Sequence, residues 1–208
     1  YYFLNILNPL GIGWPIMVFF IGLISTYILF LSLKVNKYLG AIGSIAYVLG
    51  PYFFISIEAG HNAKVEAMYF AALVLAGFIY LFEHKKWLLG GLMIAIGTSL
   101  ELIAAHYQIT FYLFFVLLIY VVVQFIYFLK DKQLAQFFKF SIVVLVAGLI
   151  GLGTSANKLL TVYEYSKETI RGKPDLITEK DKADGNKKAD GGLDKEYAFS
   201  WSQGIGET

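Results

Sequence analysis

Cysteine is absent from all 208 residues, which removes thiol nucleophiles, disulfides and thiolate-held zinc or iron–sulfur centres from the chemistry of this chain. The lack of cysteine fits either side of a bacterial membrane. Arginine is almost as scarce, with Arg171 the only one. A net charge of +2 with no basic stripe and no interleaved aromatics argues against a nucleic-acid partner. Charge of any sign is rare, at 15% of residues where a soluble domain carries about 25%. The little there is lies late, because 10 of the 15 acidic residues follow position 157. Residues 1–156 are therefore an apolar block and 157–208 a polar tail. The chain opens without Met and without a basic segment and cleavage motif, so we expect an internal piece of a longer protein rather than one beginning with a signal peptide.

What is abundant is apolar and aromatic surface, 58% and 17% of residues. A spanning helix needs about 20 mostly apolar residues, and six runs qualify: 14–33, 39–57, 63–82, 87–105, 109–129 and 137–156. Three of them hold no charge, and Glu101 is the only charge in the fourth. The predicted fold is all-α, a polytopic membrane helix bundle of about six spans with a polar extracytoplasmic tail. Seven of the eight cations before position 157 (Lys34, Lys37, Lys85, Lys86, Lys130, Lys132 and Lys139) fall in alternate connections and so on one side. By the positive-inside rule that side is cytoplasmic. Both ends of the chain and the turns at 58–66 and 105–108 then lie on the other side. His84, between Glu83 and Lys85, is expected to be solvated. The stretch 172–192, rich in Lys, Asp and Gly, is expected to be a mobile loop. The apolar segment 193–205 is expected to dock back on the domain or the membrane.

Three polar clusters share the outer side. Glu58-Ala-Gly-His-Asn-Ala-Lys-Val-Glu66 gathers two carboxylates, an imidazole, an amide and an ammonium into nine residues. If 58–62 is helical, Glu58, His61 and Asn62 share a face; Gly60 makes a turn equally open. In Glu101-Leu-Ile-Ala-Ala-His-Tyr-Gln108, an ionised carboxylate facing lipid near the bilayer centre would cost about 2.5–3.5 kcal/mol, so Glu101 should face the bundle interior with a partner. The third cluster carries Tyr163, Glu164 and Arg171, whose planar guanidinium suits a phosphate or carboxylate. Each has a plainer reading: solvated helix caps for Lys64 and Glu66, interfacial imidazoles for His61 and His106, lipid phosphates for Arg171. Glu58-x-x-His61 has the spacing of a helical metal pair, yet a metal site needs more ligands than one such pair offers.

These motifs, together with Thr161-Val-Tyr-Glu-Tyr-Ser-Lys-Glu-Thr-Ile-Arg-Gly172 and the closing segment 192–208, resemble the YfhO-like family of bacterial membrane proteins. That family is similar to polyprenyl-phosphate-dependent glycosyltransferases of the GT-C type. The resemblance implies a multi-pass enzyme of the bacterial cytoplasmic membrane, with its site on the extracytoplasmic face. Its partners would be membrane lipid, a polyprenyl-phosphate sugar donor and a cell-envelope glycan or polymer acceptor. It also implies a catalytic acid residue in the first outer loop, upstream of this chain. Such chemistry needs a carboxylate to take the acceptor proton and cations on the departing phosphate. Glu58 and Glu101 are candidates for base or acceptor positioning. His61, Asn62, Lys64, His106, Gln108, Tyr163, Glu164 and Arg171 are candidates for binding donor or acceptor. No cofactor is called for, with a divalent metal left open. The competing readings are a transporter or flippase relaying protons through Glu101, Glu58 and His61, and a non-catalytic scaffold of an envelope complex.

Overall fold

A computed structural model describes residues 13–166; Arg171, the 172–192 loop and the segment expected to dock back lie outside the described residues. Seven helices belong to a first unit: α1 (Ile16–Ser32), α2 (Lys37–Val48), α3 (Pro51–Glu58), α4 (Asn62–Phe82), α5 (Trp87–Ala104), α6 (Tyr107–Lys130) and α7 (Leu134–Thr154). A second unit begins after Ser155, and its described part is the helix α8 (Ala156–Ser166). No strand occurs among the described residues. The protein is an all-α, multi-pass membrane protein. Helices α4, α5, α6 and α7, and the α2–α3 pair taken together, are long and apolar enough to cross a bilayer. The 17 residues of α1 reach only about 25 Å at 1.5 Å each, against a hydrocarbon core of about 30 Å.

The run expected as one span over 39–57 is two helices. α2 stops at Val48, and Pro51 opens α3 at its first helical position. Proline has no N–H to continue the ladder, and its ring excludes a helical turn before it, so the interruption falls at Leu49 and Gly50. The break frees the Val48 carbonyl inside an apolar environment, where an unpaired backbone group costs several kcal/mol. The buried hydroxyl of Tyr69 on α4 donates to that carbonyl at 2.9 Å. The interruption is therefore supported by the neighbouring helix.

α4 is the axis of the unit and packs against α1, α3, α5, α6 and α7. It buries residues around its whole circumference, among them Val65, Tyr69, Phe70, Phe78 and Leu81. α6 is its opposite, with Phe111, Phe114, Ile119, Val122 and Ile126 exposed, a surface suited only to lipid. Lipid tails are as apolar as leucine, so helices in a membrane associate through close packing. Glycines provide it here. A Cβ on Gly90 of α5 would stand 2.8 Å from the Gly77 carbonyl oxygen of α4, and one on Gly151 of α7 would stand 2.7 Å from Thr98 Cβ of α5. α5 is thus pressed between α4 and α7. Beside that seam Phe82, Phe128 and Phe140 pack edge to face, with the Phe82 and Phe140 rings 5.8 Å apart, and Phe137 lies tilted against Phe82 and Phe128.

The connections sort to two ends. At the lysine-rich end, the Lys85 ammonium donates to Gln133 Oε1 at 3.1 Å, and His84 Nε2 lies 2.7 Å from the Ser32 carbonyl oxygen. These bonds join the α1–α2, α4–α5 and α6–α7 connections. His84 is half-buried and partnered rather than solvated, because the carbonyl of the last residue of α1 meets its ring. The α3–α4 and α5–α6 turns stand at the opposite end.

Gly90→Val is expected to destabilise the protein by about 1–3 kcal/mol, since backbone blocks the added carbons. Gly148→Ala, with nothing within 4 Å of a new Cβ, is expected to be neutral. Melting temperatures in detergent compare the two. By the same measurement Tyr69→Phe should cost about 1–3 kcal/mol, the penalty for leaving the Val48 carbonyl unpaired.

Candidate functional site

The first outer turn is built by a helix stop. α3 ends at Glu58, and Gly60 takes φ +80, a left-handed conformation that glycine adopts without a steric penalty. The Gly60 amide then donates to the Ile57 carbonyl at 2.9 Å and the His61 amide to the Ser56 carbonyl at 2.8 Å, the crossed pair that closes a helix C-terminus. The chain reverses there, and α4 starts at Asn62. Glu58, His61 and Asn62 consequently share no helical face; of the two local readings, the turn is the one found. The reversal puts His61 at the N-cap of α4 and Lys64 in its first turn. A cation there opposes the helix dipole, so the helix itself gains nothing from Lys64. The Lys64 ammonium lies 5.3 Å from the centre of the Tyr52 ring.

The second outer turn is shorter. Ala105 takes φ +58 and stops α5, His106 precedes α6, and Gln108 lies in the first turn of α6. The two turns meet. His61, Lys64, His106, Gln108, Ile109 and Tyr112 line one pocket of about 240 Å³. Within it Gln108 Nε2 donates to the Tyr112 hydroxyl at 2.7 Å. Among the described residues no carboxylate lines this pocket, and its one permanent charge is that of the lysine.

Glu101 is placed differently. It is 1% exposed, deep between α5 and α6. The Thr110 hydroxyl donates to its Oε1 at 3.3 Å and also lies 3.5 Å from the His106 carbonyl oxygen. Glu101 Oε2 is buried without a partner among the described residues, as are Asn62 Oδ1, His106 Nδ1 and the Tyr107 hydroxyl. Buried polar atoms are nearly always paired. These four atoms lie at or near the two adjoining outer turns.

An apolar groove of about 420 Å³ adjoins the polar pocket, between α1, α2, α4 and α6. Ile109 and Tyr112 line both. Ala71, Leu75 and Val116 form its sides, and it is also lined by Thr26, whose buried hydroxyl has no partner among the described residues. At the lysine-rich end a separate cavity of about 420 Å³ is walled by Glu83, Lys85, Gln124, Asp131 and Gln133, with the Tyr120 hydroxyl donating to Glu83 Oε1 at 3.0 Å.

Of the residues singled out from sequence, His61, Lys64, His106 and Gln108 come together. Glu58 is exposed at the end of α3, and neither it nor Asn62 lines the pocket. Tyr163 and Glu164 are exposed on α8 in the second unit. Sequence reasoning missed Thr110 and Tyr112. The signal present was a hydroxyl one helical turn into the helix after Glu101, and an aromatic at i+4 from Gln108. Among the described residues no group of three or more His, Asp or Glu side chains is placed to hold a metal ion. No family model, curated protein or solved structure matches the chain.

A buried carboxylate with one long hydrogen bond is a burden on the fold. Replacing it by an apolar side chain of similar size, Glu101→Met, is expected to stabilise the protein by about 1–3 kcal/mol, read as a higher melting temperature in detergent. A lower melting temperature would mean that the carboxylate contributes more to the fold than its burial costs.

Proposed function

We propose that this chain is part of a membrane glycosyltransferase that moves a sugar from a polyprenyl-phosphate donor to a cell-envelope acceptor on the extracytoplasmic face of a bacterial cytoplasmic membrane. The observation that carries the reading is the convergence of His61, Lys64, His106 and Gln108, from two separate turns, into one pocket that no carboxylate lines among the described residues. Such a pocket suits a phosphate, whose charge grows as the sugar departs. It stands at the end opposite the lysine-rich connections, which the positive-inside rule assigns to the cytoplasm. The resemblance to the YfhO-like family points the same way.

In this reading the acceptor hydroxyl attacks the anomeric carbon, the bond from that carbon to the phosphate oxygen breaks, and the electron pair leaves with the phosphate. Lys64 offsets the phosphate charge, and His61, His106 and Gln108 donate hydrogen bonds to its oxygens. The acceptor proton passes to a carboxylate. Glu58 is the accessible one of the two acids, whereas Glu101 is closed off. Glu101 acts as a positioning residue: through Thr110 it holds the start of α6, and with it His106 and Gln108.

A transporter is favoured by one feature, the interruption of the second span at Gly50 and Pro51, since broken helices line many transport sites. The two readings separate in cells carrying the full-length protein. Lys64→Ala and Glu58→Gln, at matched membrane levels, are expected to lose the envelope glycan modification and to accumulate the lipid-linked sugar, each falling at least about tenfold in transfer rate. Full glycosylation in both variants would sink the transferase reading. Solute flux in proteoliposomes, abolished by Glu101→Gln, would put transport in its place.

A further inference from the structure

We infer that the polar cavity at the lysine-rich end binds a phosphoethanolamine head, with Glu83 and Asp131 on its ammonium and Lys85 on its phosphate. The site stands at the end opposite the pocket assigned to sugar transfer and does not rest on that reading.

The cavity, about 420 Å³, is enclosed by the end of α4, the α4–α5 connection, the last two turns of α6 and the connection into α7. Its charged groups are two carboxylates and one ammonium, and among the described residues they do not pair with one another. Lys85 donates instead to Gln133 Oε1 at 3.1 Å, and Glu83 Oε1 accepts from the Tyr120 hydroxyl at 3.0 Å. The Asp131 carboxylate is exposed and bonds nothing among the described residues. Neutral groups thus hold charges of opposite sign apart around one space. The support for Glu83 reaches toward the bilayer. Gln124 is the only amide or charge on α6 between Phe111 and Leu129, is 8% exposed, and sits against the Tyr120 hydroxyl. An amide is costly inside a membrane helix, and this one backs the hydroxyl that fixes Glu83.

The lining discriminates among ligands. A metal ion would share the two carboxylates with the Lys85 ammonium, and among the described residues no third acidic or imidazole group joins them. A simple anion meets two carboxylates, and a simple amine leaves the Lys85 and Gln133 hydrogens unused. A dipolar head uses both. Its N–H groups bond the carboxylate oxygens while Lys85 and the Gln133 amide donate to the phosphate. Phe82, Tyr127 and Phe128 supply apolar contact for the carbons between. A quaternary ammonium has no N–H to offer Glu83 and Asp131. Tyr127 is 59% exposed on the lipid-facing α6, so the cavity is bordered by lipid as well as by solvent. The head therefore has two sources, a phospholipid of the adjoining leaflet and a soluble ester.

The test titrates the full-length protein in detergent with dihexanoyl phosphatidylethanolamine, phosphatidylcholine and phosphatidylglycerol, and with glycerophosphoethanolamine as the soluble head. The ethanolamine lipid is expected to bind at least about tenfold more tightly than the other two lipids. Asp131→Asn and Lys85→Gln should each weaken it about tenfold, whereas Lys139→Gln, on α7 outside the cavity, should not. Asp131→Asn is expected to leave the melting temperature unchanged, so that its lost affinity reports the site and not the fold. Glycerophosphoethanolamine binding as tightly as the lipid would support the site with a soluble ligand; binding at least about tenfold more weakly would support it with a lipid one. Equal affinity for the three lipids would overturn the inference, as would undiminished ethanolamine-lipid binding in both Asp131→Asn and Lys85→Gln.

Discussion

The approach of α4 to α5 at Gly77 and Gly90 constrains most of what surrounds it. The carbonyl of Gly77 occupies space that any side chain on Gly90 would need. With the two backbones this close, the registers of Val74 against Gly97 and of Phe70 against Leu100 follow. That seam fixes the height at which α5 ends, and hence where Ala105 turns the chain toward α6. The polar pocket is a consequence of this spacing. His61 and Lys64 ride on the start of α4, His106 and Gln108 on the start of α6, and the seam sets their distance. Lipid supplies no hydrophobic force to hold such helices, so backbone contact does the work that an apolar core does in water.

The two ends of the bundle are finished by different means. At the lysine-rich end α1, α4 and α6 each terminate with a lysine in the left-handed region: Lys34 at φ +60, Lys85 at +55 and Lys132 at +56. Glycine would spare about 1 kcal/mol at such a position. Lysine offers what glycine lacks, a charge beside the negative end of the helix dipole and a charge that holds the connection on its side of the membrane. The recurrence of one device in three connections indicates that orientation is worth the strain. At the opposite end the same backbone conformation is met by Gly60 and Ala105, which carry no charge. Among the described residues of the first unit, the one lysine at that end is Lys64, where the helix dipole disfavours it.

The spans were legible because long apolar runs without charge leave a chain few other options. The interruption in the second was written as Gly50-Pro51, but hydropathy averages over it; proline's effect on the backbone was the stronger signal. The inward direction of Glu101 followed from the cost of a carboxylate in lipid. Its partner did not, because Thr110 reaches it only through the docking of α6 on α5, a tertiary fact with no local trace. Helical spacing misled at Glu58 and His61, where one glycine in the left-handed region outweighed the periodicity. His84 looked solvated among charged neighbours, since a carbonyl from a connection more than fifty residues away in sequence is invisible to local reading.

Glu101 and the pocket beside it bear on each other. A carboxylate that is 1% exposed, with a single bond of 3.3 Å, weakens the fold that contains it. A fold keeps such a group where losing it would cost something else. The neighbouring turns repeat the pattern, since Asn62, His106 and Tyr107 also hold buried polar atoms without partners. Were these groups only packing, apolar residues of the same shape would serve better at every one of the four positions. They share one location, beside a pocket lined by two imidazoles and an ammonium. His106 belongs to both sets, since its Nδ1 is unpaired among the described residues while the residue lines the pocket.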